Sequence, residues 1–134
     1  MILQPIHELT IVVVADVGVP NQERIVIRPT QSVNLAGFGL YVGQLLPNGM
    51  IRPYPDHFLW FGEIFVAPPS WIIIYTGPGN FQQTRLPNAG EEAYVFHWGK
   101  NFTLFGVPGI VPALFRFDGI LIGTQPIKTP LLGK

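Results

Sequence analysis

Apolar residues along this chain come in short, β-branched runs, and each run is closed by Gly, Pro, Asn or Asp before it reaches helical length. The longest stretch free of both Gly and Pro, Ile6 to Val17, has 12 residues and reads IHELTIVVVADV. The next longest, Asn21–Arg28 and Glu91–Trp98, have eight. An average helix takes about 11–12 residues, and a proline inside one costs about 3 kcal/mol, so this spacing leaves almost no room for helix. The single window of sufficient length is crowded with Val and Ile, whose stiff side chains suit a pleated strand. The pattern predicts an all-β chain.

Turn chemistry then divides the chain into hairpins. Leu9–Asp16 and Glu23–Arg28 flank VGVPNQ, and Phe38–Leu46 and Met50–Tyr54 flank Pro47-Asn48-Gly49, which contains the Asn-Gly pair favoured in tight reversals. His57–Val66 and Trp71–Thr76 flank Ala67-Pro68-Pro69-Ser70, while Phe81–Leu86 and Glu92–Trp98 flank Pro87-Asn88-Ala89-Gly90. Leu114–Phe117 and Ile120–Gly123 flank Asp118-Gly119, and Phe102–Phe105 adds a short strand. The expected fold is a single domain over residues 1–134: a two-sheet antiparallel β-sandwich, jelly-roll-like, with extended arms at 1–7 and 124–134. No fixed period is present, which disfavours propellers and solenoids.

A strand of a two-sheet sandwich turns one face to the core and the other to water, so apolar and polar residues should alternate. His57–Val66 does not alternate. Phe58, Trp60, Ile64 and Val66 fall on one face, and Leu59, Phe61 and Phe65 fall on the other, beside His57 and Glu63. The predicted partner strand sets Trp71, Ile73 and Tyr75 against Ile72 and Ile74. Only one side of such a hairpin fits one core, and the other needs a cover. The expected subunit interface is Leu59, Phe61, Phe65, Ile72 and Ile74, joined by Met1, Ile2 and Leu3 at one end and Leu131 and Leu132 at the other. Pro5, Pro126 and Pro130 favour extended arms. Lys100 is the only lysine in the body of the chain, so the sheet edges lack the residue that most often guards them.

Composition narrows the function classes. The 134 residues suffice for one core, and 8 Lys+Arg balance 8 Asp+Glu to give a formal net charge of zero. Charged residues are 12% of the chain and hydrophobic residues 48%, which excludes a basic nucleic-acid binder and an acidic disordered segment. There is no cysteine, hence no disulfide, thiolate metal site or cysteine nucleophile. No apolar run approaches the length of a membrane-spanning helix, and the start of the chain lacks the pattern of a signal peptide.

Motifs that carry chemistry are sparse. His7, His57 and His97 lie far apart in sequence and form no metal-ligand spacing. Ser70, His97 and Asp118 supply the residue types of a hydrolytic triad, without the G-x-S-x-G turn that presents a nucleophile. Glu63, between Phe61 and Phe65, is the acid expected on an apolar face, paired with Arg52, Arg85 or Arg116. Tyr54 and Phe81, in loops, are the aromatics best placed to touch a ligand.

These readings predict a structural subunit of a larger symmetric assembly whose partners are copies of itself or other subunits, with no nucleic acid, membrane span, cofactor or metal. The most specific form is a viral or phage virion component, such as a minor capsid, decoration or spike-base protein, located in the virion. The alternative is a carbohydrate- or ligand-binding sandwich that uses Tyr54 and Phe81. An enzyme is not expected.

Overall fold

The structure, a computed structural model, describes residues 4–88 and 90–126. Met1, Ile2, Leu3, Leu131 and Leu132, which the sequence assigns to interfaces, lie outside the described residues. The strands are β1 (Leu9–Ala15), β2 (Arg24–Pro29), β3 (Val33–Asn34), β4 (Phe38–Leu45), β5 (Ile51–Trp60), β6 (Phe65–Val66), β7 (Ser70–Tyr75), β8 (Gln82–Arg85), β9 (Glu92–His97) and β10 (Ile110–Arg116). The only helical element among the described residues is a single 3-10 turn, Leu35–Gly37, whose first turn is capped by the Asn34 side chain accepting from the Ala36 N–H.

Two sheets pack as a sandwich. One has five strands in the order β1-β2-β7-β9-β8, and the other has three in the order β10-β4-β5. The chain leaves the larger sheet after β2, builds β4 and β5, and returns for β7. The outgoing and returning crossings are stitched together by the short β3–β6 pair and by the Leu35 N–H donating to Ile64 O at 2.9 Å. The core lies between the sheets: Ile25, Ile27, Ile72 and Ile74 from the larger face Leu40 and Val42 from the smaller, and all six have no accessible surface. Each such burial stabilises by roughly 1.5–3 kcal/mol.

Three predicted hairpins form: β1 with β2, β4 with β5, and β8 with β9. The others depart from expectation for identifiable reasons. The pairing of β7 with β9 is parallel, so the sandwich is not wholly antiparallel, and the strand order gives no support to a jelly-roll path. The stretches His57–Val66 and Trp71–Thr76 do not pair. Gly62 adopts φ +83°, a left-handed conformation that ends β5 at Trp60 and turns the chain toward the other sheet. Pro68 and Pro69 then offer no ladder donors. Ile120–Gly123 does not fold back on β10, and from Phe117 to Pro126 the chain forms no strand.

Phe102–Phe105 is a loop rather than a strand, and a buried acid explains how it is held. Glu23 is fully buried, and its carboxylate accepts hydrogen bonds from the Thr76 hydroxyl (2.9 Å) and from the backbone N–H groups of Gly18 (2.9 Å), Leu104 (2.6 Å) and Phe105 (3.1 Å). The Glu23 backbone also accepts from the Thr76 N–H at 3.0 Å. The turn before β2, the residue after β7 and the Leu104–Phe105 loop thus meet on one side chain. Glu63, the acid singled out from the sequence, is exposed and forms no ion pair among the described residues; Arg85 pairs with Glu92 and Arg116 with Glu8. After Gly62 the chain no longer follows the alternation on which that expectation rested.

Glu8 and Arg116 tie the two sheets at one edge, with carboxylate oxygens 2.8 and 2.6 Å from Nη1. The N-terminal segment lies against its own domain: Ile6 packs on the core, and the Thr30 N–H donates to Glu8 O at 2.9 Å.

Two outcomes are expected. Glu23→Ala leaves three buried donors and the part-buried Gly18 N–H without an acceptor, so urea unfolding should show a loss of about 3 kcal/mol, with Glu23→Gln also destabilised because its amide turns a donor toward donors. The Arg116 guanidinium holds the Glu8 carboxyl below its usual range. A carboxyl lowered by folding contributes above its unfolded value, and that contribution is lost as pH falls through the folded value. Protection factors at the start of β1 and the end of β10, taken relative to intrinsic exchange at each pH, should therefore fall as pH drops through the folded value, and Glu8→Gln should abolish that fall.

Candidate functional site

The two outward faces of the sandwich differ in chemistry. On the five-stranded sheet, β2 presents Arg24 and Arg28, and their guanidinium groups lie over aromatic rings of β7. Arg28 sits 3.8 Å from the Trp71 ring centroid and Arg24 sits 5.8 Å from that of Tyr75. Trp71 Nε1 and Arg28 both donate to Glu91, and Tyr75 stacks on His97 at 5.3 Å. Charge caps the aromatics, as on an ordinary solvated surface.

The outer face of the three-stranded sheet carries no such cover. Register places Gly39 between Trp60 and Phe115, Tyr41 between Phe58 and Ala113, Gly43 between Pro53 and Val111, and Leu45 beside Ile51. Residues opposite one another across a ladder share a face, and no charged residue stands in any of these rows. Trp60 is 55% exposed and Phe58 49%. The rings form a chain across the sheet: Phe115 lies 5.5 Å from Tyr41, 5.3 Å from Phe58 and 5.2 Å from Phe117. Gly39 makes this possible, because a Cβ there would stand 2.7 Å from both the Phe115 and Phe58 rings. The Trp60 indole is oriented by its N–H, which donates to Ala36 O at 2.9 Å. Burial raises the pKa of the Tyr41 hydroxyl above the ordinary tyrosine value.

Two hollows mark this face. One of about 350 Å³ lies among Tyr41, Pro53, Tyr54, His57, Phe58 and Phe115, and one of about 530 Å³ lies among Ala36, Trp60, Phe117, Asp118, Gly119 and Ile120, so polar groups stand only at the margins of the rows. An uncharged aromatic surface of this kind binds by excluding water. Sugar recognition pairs a stacking ring with polar side chains that meet hydroxyls, and the rows described here contain none except the Tyr41 phenol.

The expected interface residues are redistributed by the fold. Phe61, Ile72 and Ile74 are buried in the domain's own core and Leu59 packs against it, so their side chains are not free to meet a neighbour. Phe65 is exposed at 70%. The face given to the interface is largely the core face, and the true outward face holds Phe58 and Trp60. Tyr54 and Phe81 are not brought together: Tyr54 packs against the core and lines a hollow of about 340 Å³ with His57 and Phe102, whereas Phe81 lies 5.0 Å from Phe96.

The hydrolytic trio does not assemble. Ser70 is buried at the start of β7, and His97 lies beside Tyr75 at the other end, five strand positions or about 17 Å away. Asp118 borders the hollow at Trp60 and Phe117. Among the described residues no group of three or more His, Asp or Glu is placed to hold a metal ion, and no helix is long and apolar enough to cross a membrane.

No known protein family matches the chain, and no curated protein or solved structure matches it either. The residues missed in sequence, Tyr41, Phe58, Trp60, Phe115 and Phe117, had one available signal. In FGLYVGQL the residues at alternate positions are Gly39, Tyr41 and Gly43, a row with no charge whichever way it points.

Gly39→Val should force the Phe58 and Phe115 rings apart while leaving the core face of β4 untouched. The expected result is a loss of about 1–3 kcal/mol in denaturant unfolding together with a changed near-ultraviolet circular dichroism spectrum.

Proposed function

We propose that the protein is a structural subunit of a larger assembly, and that the outer face of its three-stranded sheet is the surface it buries against a neighbouring copy. The observation that carries this is the run of cross-strand rows from Trp60–Gly39–Phe115 to Ile51–Leu45, which contains no charged residue on the outward side of a sheet. Water-facing strands of a sandwich ordinarily carry polar residues, as β2 of the other sheet does with Arg24 and Arg28. Covering Phe58, Trp60 and Leu45, each about half exposed, stabilises an association by several kcal/mol at roughly 25 cal/mol per Å². A chain of zero net charge opposes that contact with no long-range repulsion.

In its narrower form the assembly is a virion and the protein a minor capsid, decoration or spike-base component. That step rests on fold-level analogy alone. The alternative is a carbohydrate- or ligand-binding module that uses Tyr54 and Phe81; the uncharged rows of the outer face favour an apolar partner over a sugar.

The test is light scattering at micromolar concentration. The protein is expected to run as an oligomer, and Phe58→Glu with Trp60→Glu should shift it to lower mass with an unchanged far-ultraviolet spectrum. A compact monomer before any substitution refutes the proposal.

A further inference from the structure

Among the described residues, the stretch that follows β10 holds the most exposed large aliphatic side chains. The Phe117 N–H still donates to Gly37 O at 2.8 Å, but beyond it Ile120, Leu121 and Ile122 are 81%, 97% and 78% exposed. Three consecutive large aliphatic residues face water, a few residues along the chain from a sheet face that is itself apolar and uncovered. Resting on the assembly reading above, we propose that the Asp118–Gly123 segment of one copy lies across the aromatic face of a second copy, and that the exchange is reciprocal about a two-fold axis.

Three features support this occupant. The first is chemical match: the segment between Asp118 and Gly123 is wholly aliphatic apart from its glycine, and the rows it would cover contain no charge that contact would strand. Reach is the second. Five extended residues from Asp118 to Ile122 span about 17 Å, whereas the outer strands of a three-stranded sheet lie only about 10 Å apart, so the segment crosses from β10 to β5. The third is position. The hollow of about 530 Å³ bounded by Trp60, Phe117 and Ile120 lies where the segment departs, so a copy related by a two-fold axis near this point delivers its own segment beside the one that leaves. Among the described residues its own domain does not bury it, so the three aliphatic side chains are available to a second copy.

Extended backbone alternates its side chains, so Ile120 and Ile122 share a side and Leu121 takes the other. The seating side is assigned to Ile120 and Ile122, which would enter the space among Phe58, Trp60 and Phe115.

Substitutions in the full chain test this without touching the fold, because all three aliphatic side chains are exposed. Ile120→Asp with Ile122→Asp should weaken self-association at least tenfold in sedimentation equilibrium, while Leu121→Asp should change it much less. The chain has no cysteine, which makes a cross-linking arm clean. A mixture of Ile122→Cys chains and Phe58→Cys chains should oxidise to a disulfide-linked pair faster than either chain alone. Wild-type association in the doubly substituted Asp variant, with no preferred cross-link, overturns the exchange and leaves the assembly standing. A wild-type monomer overturns both, and rapid cross-linking within a monomer carrying both cysteines shows that the segment covers its own face instead.

Discussion

Glu23 has no accessible surface and forms no ion pair among the described residues, yet both of its carboxylate oxygens are engaged by donors from Gly18, Thr76, Leu104 and Phe105. A buried acid is tolerable only when its lone pairs are met, and here they are met by the β1–β2 turn, the residue after β7 and the loop leading to β10. The converse also holds. Those backbone N–H groups lie at the rim of the sandwich, outside either ladder, and without the acid they would be buried donors with no acceptor. The rim of the core, the docking of Leu104 and Phe105, and the approach of the chain to β10 therefore all depend on one side chain.

That loop leads into β10, which is itself held by a continuous ladder to β4 in the three-stranded sheet. Its outer face is then built by pairwise register: Gly39 leaves space on the middle strand, and Phe58 and Phe115 meet across it from the two flanking strands. The larger sheet solves the same surface problem differently, with arginines laid over Trp71 and Tyr75. One molecule thus carries a solvated face and a dry one, and only the second asks for a partner.

The fold class was legible because Gly and Pro spacing forbids helix regardless of context, and local reversals such as Pro47-Asn48-Gly49 declare their hairpins. What failed was parity. The stretch from His57 to Val66 is apolar on both faces, so its alternation cannot say which face is inside, and the break at Gly62 shifts the count midway. Phe61 consequently turns inward and Phe65 outward, although two-residue periodicity puts them together. Glu23 was illegible for another reason: it sits next to a turn beside Gln22 and Arg24, where an acid is ordinarily solvated, and apart from Gly18 its partners are distant in sequence. The unpaired state of Ile120–Gly123 runs against a strong Asp-Gly turn signal, and the structure offers no local cause for it.

The parallel pairing of β7 with β9 bears on how the chain reaches this state. Strands β8 and β9 are close in sequence, whereas β7 pairs with β2, more than 40 residues upstream. The central strands of the larger sheet are thus joined by a connection that holds two strands of the other sheet, β4 and β5, between β2 and β7, and by one that holds β8 between β7 and β9. Such non-local closure is slow, on the order of milliseconds to seconds for domains of this kind. During that interval the aliphatic rows of β2 and β7 stand open, and growth of one copy against another competes with completion of each copy alone.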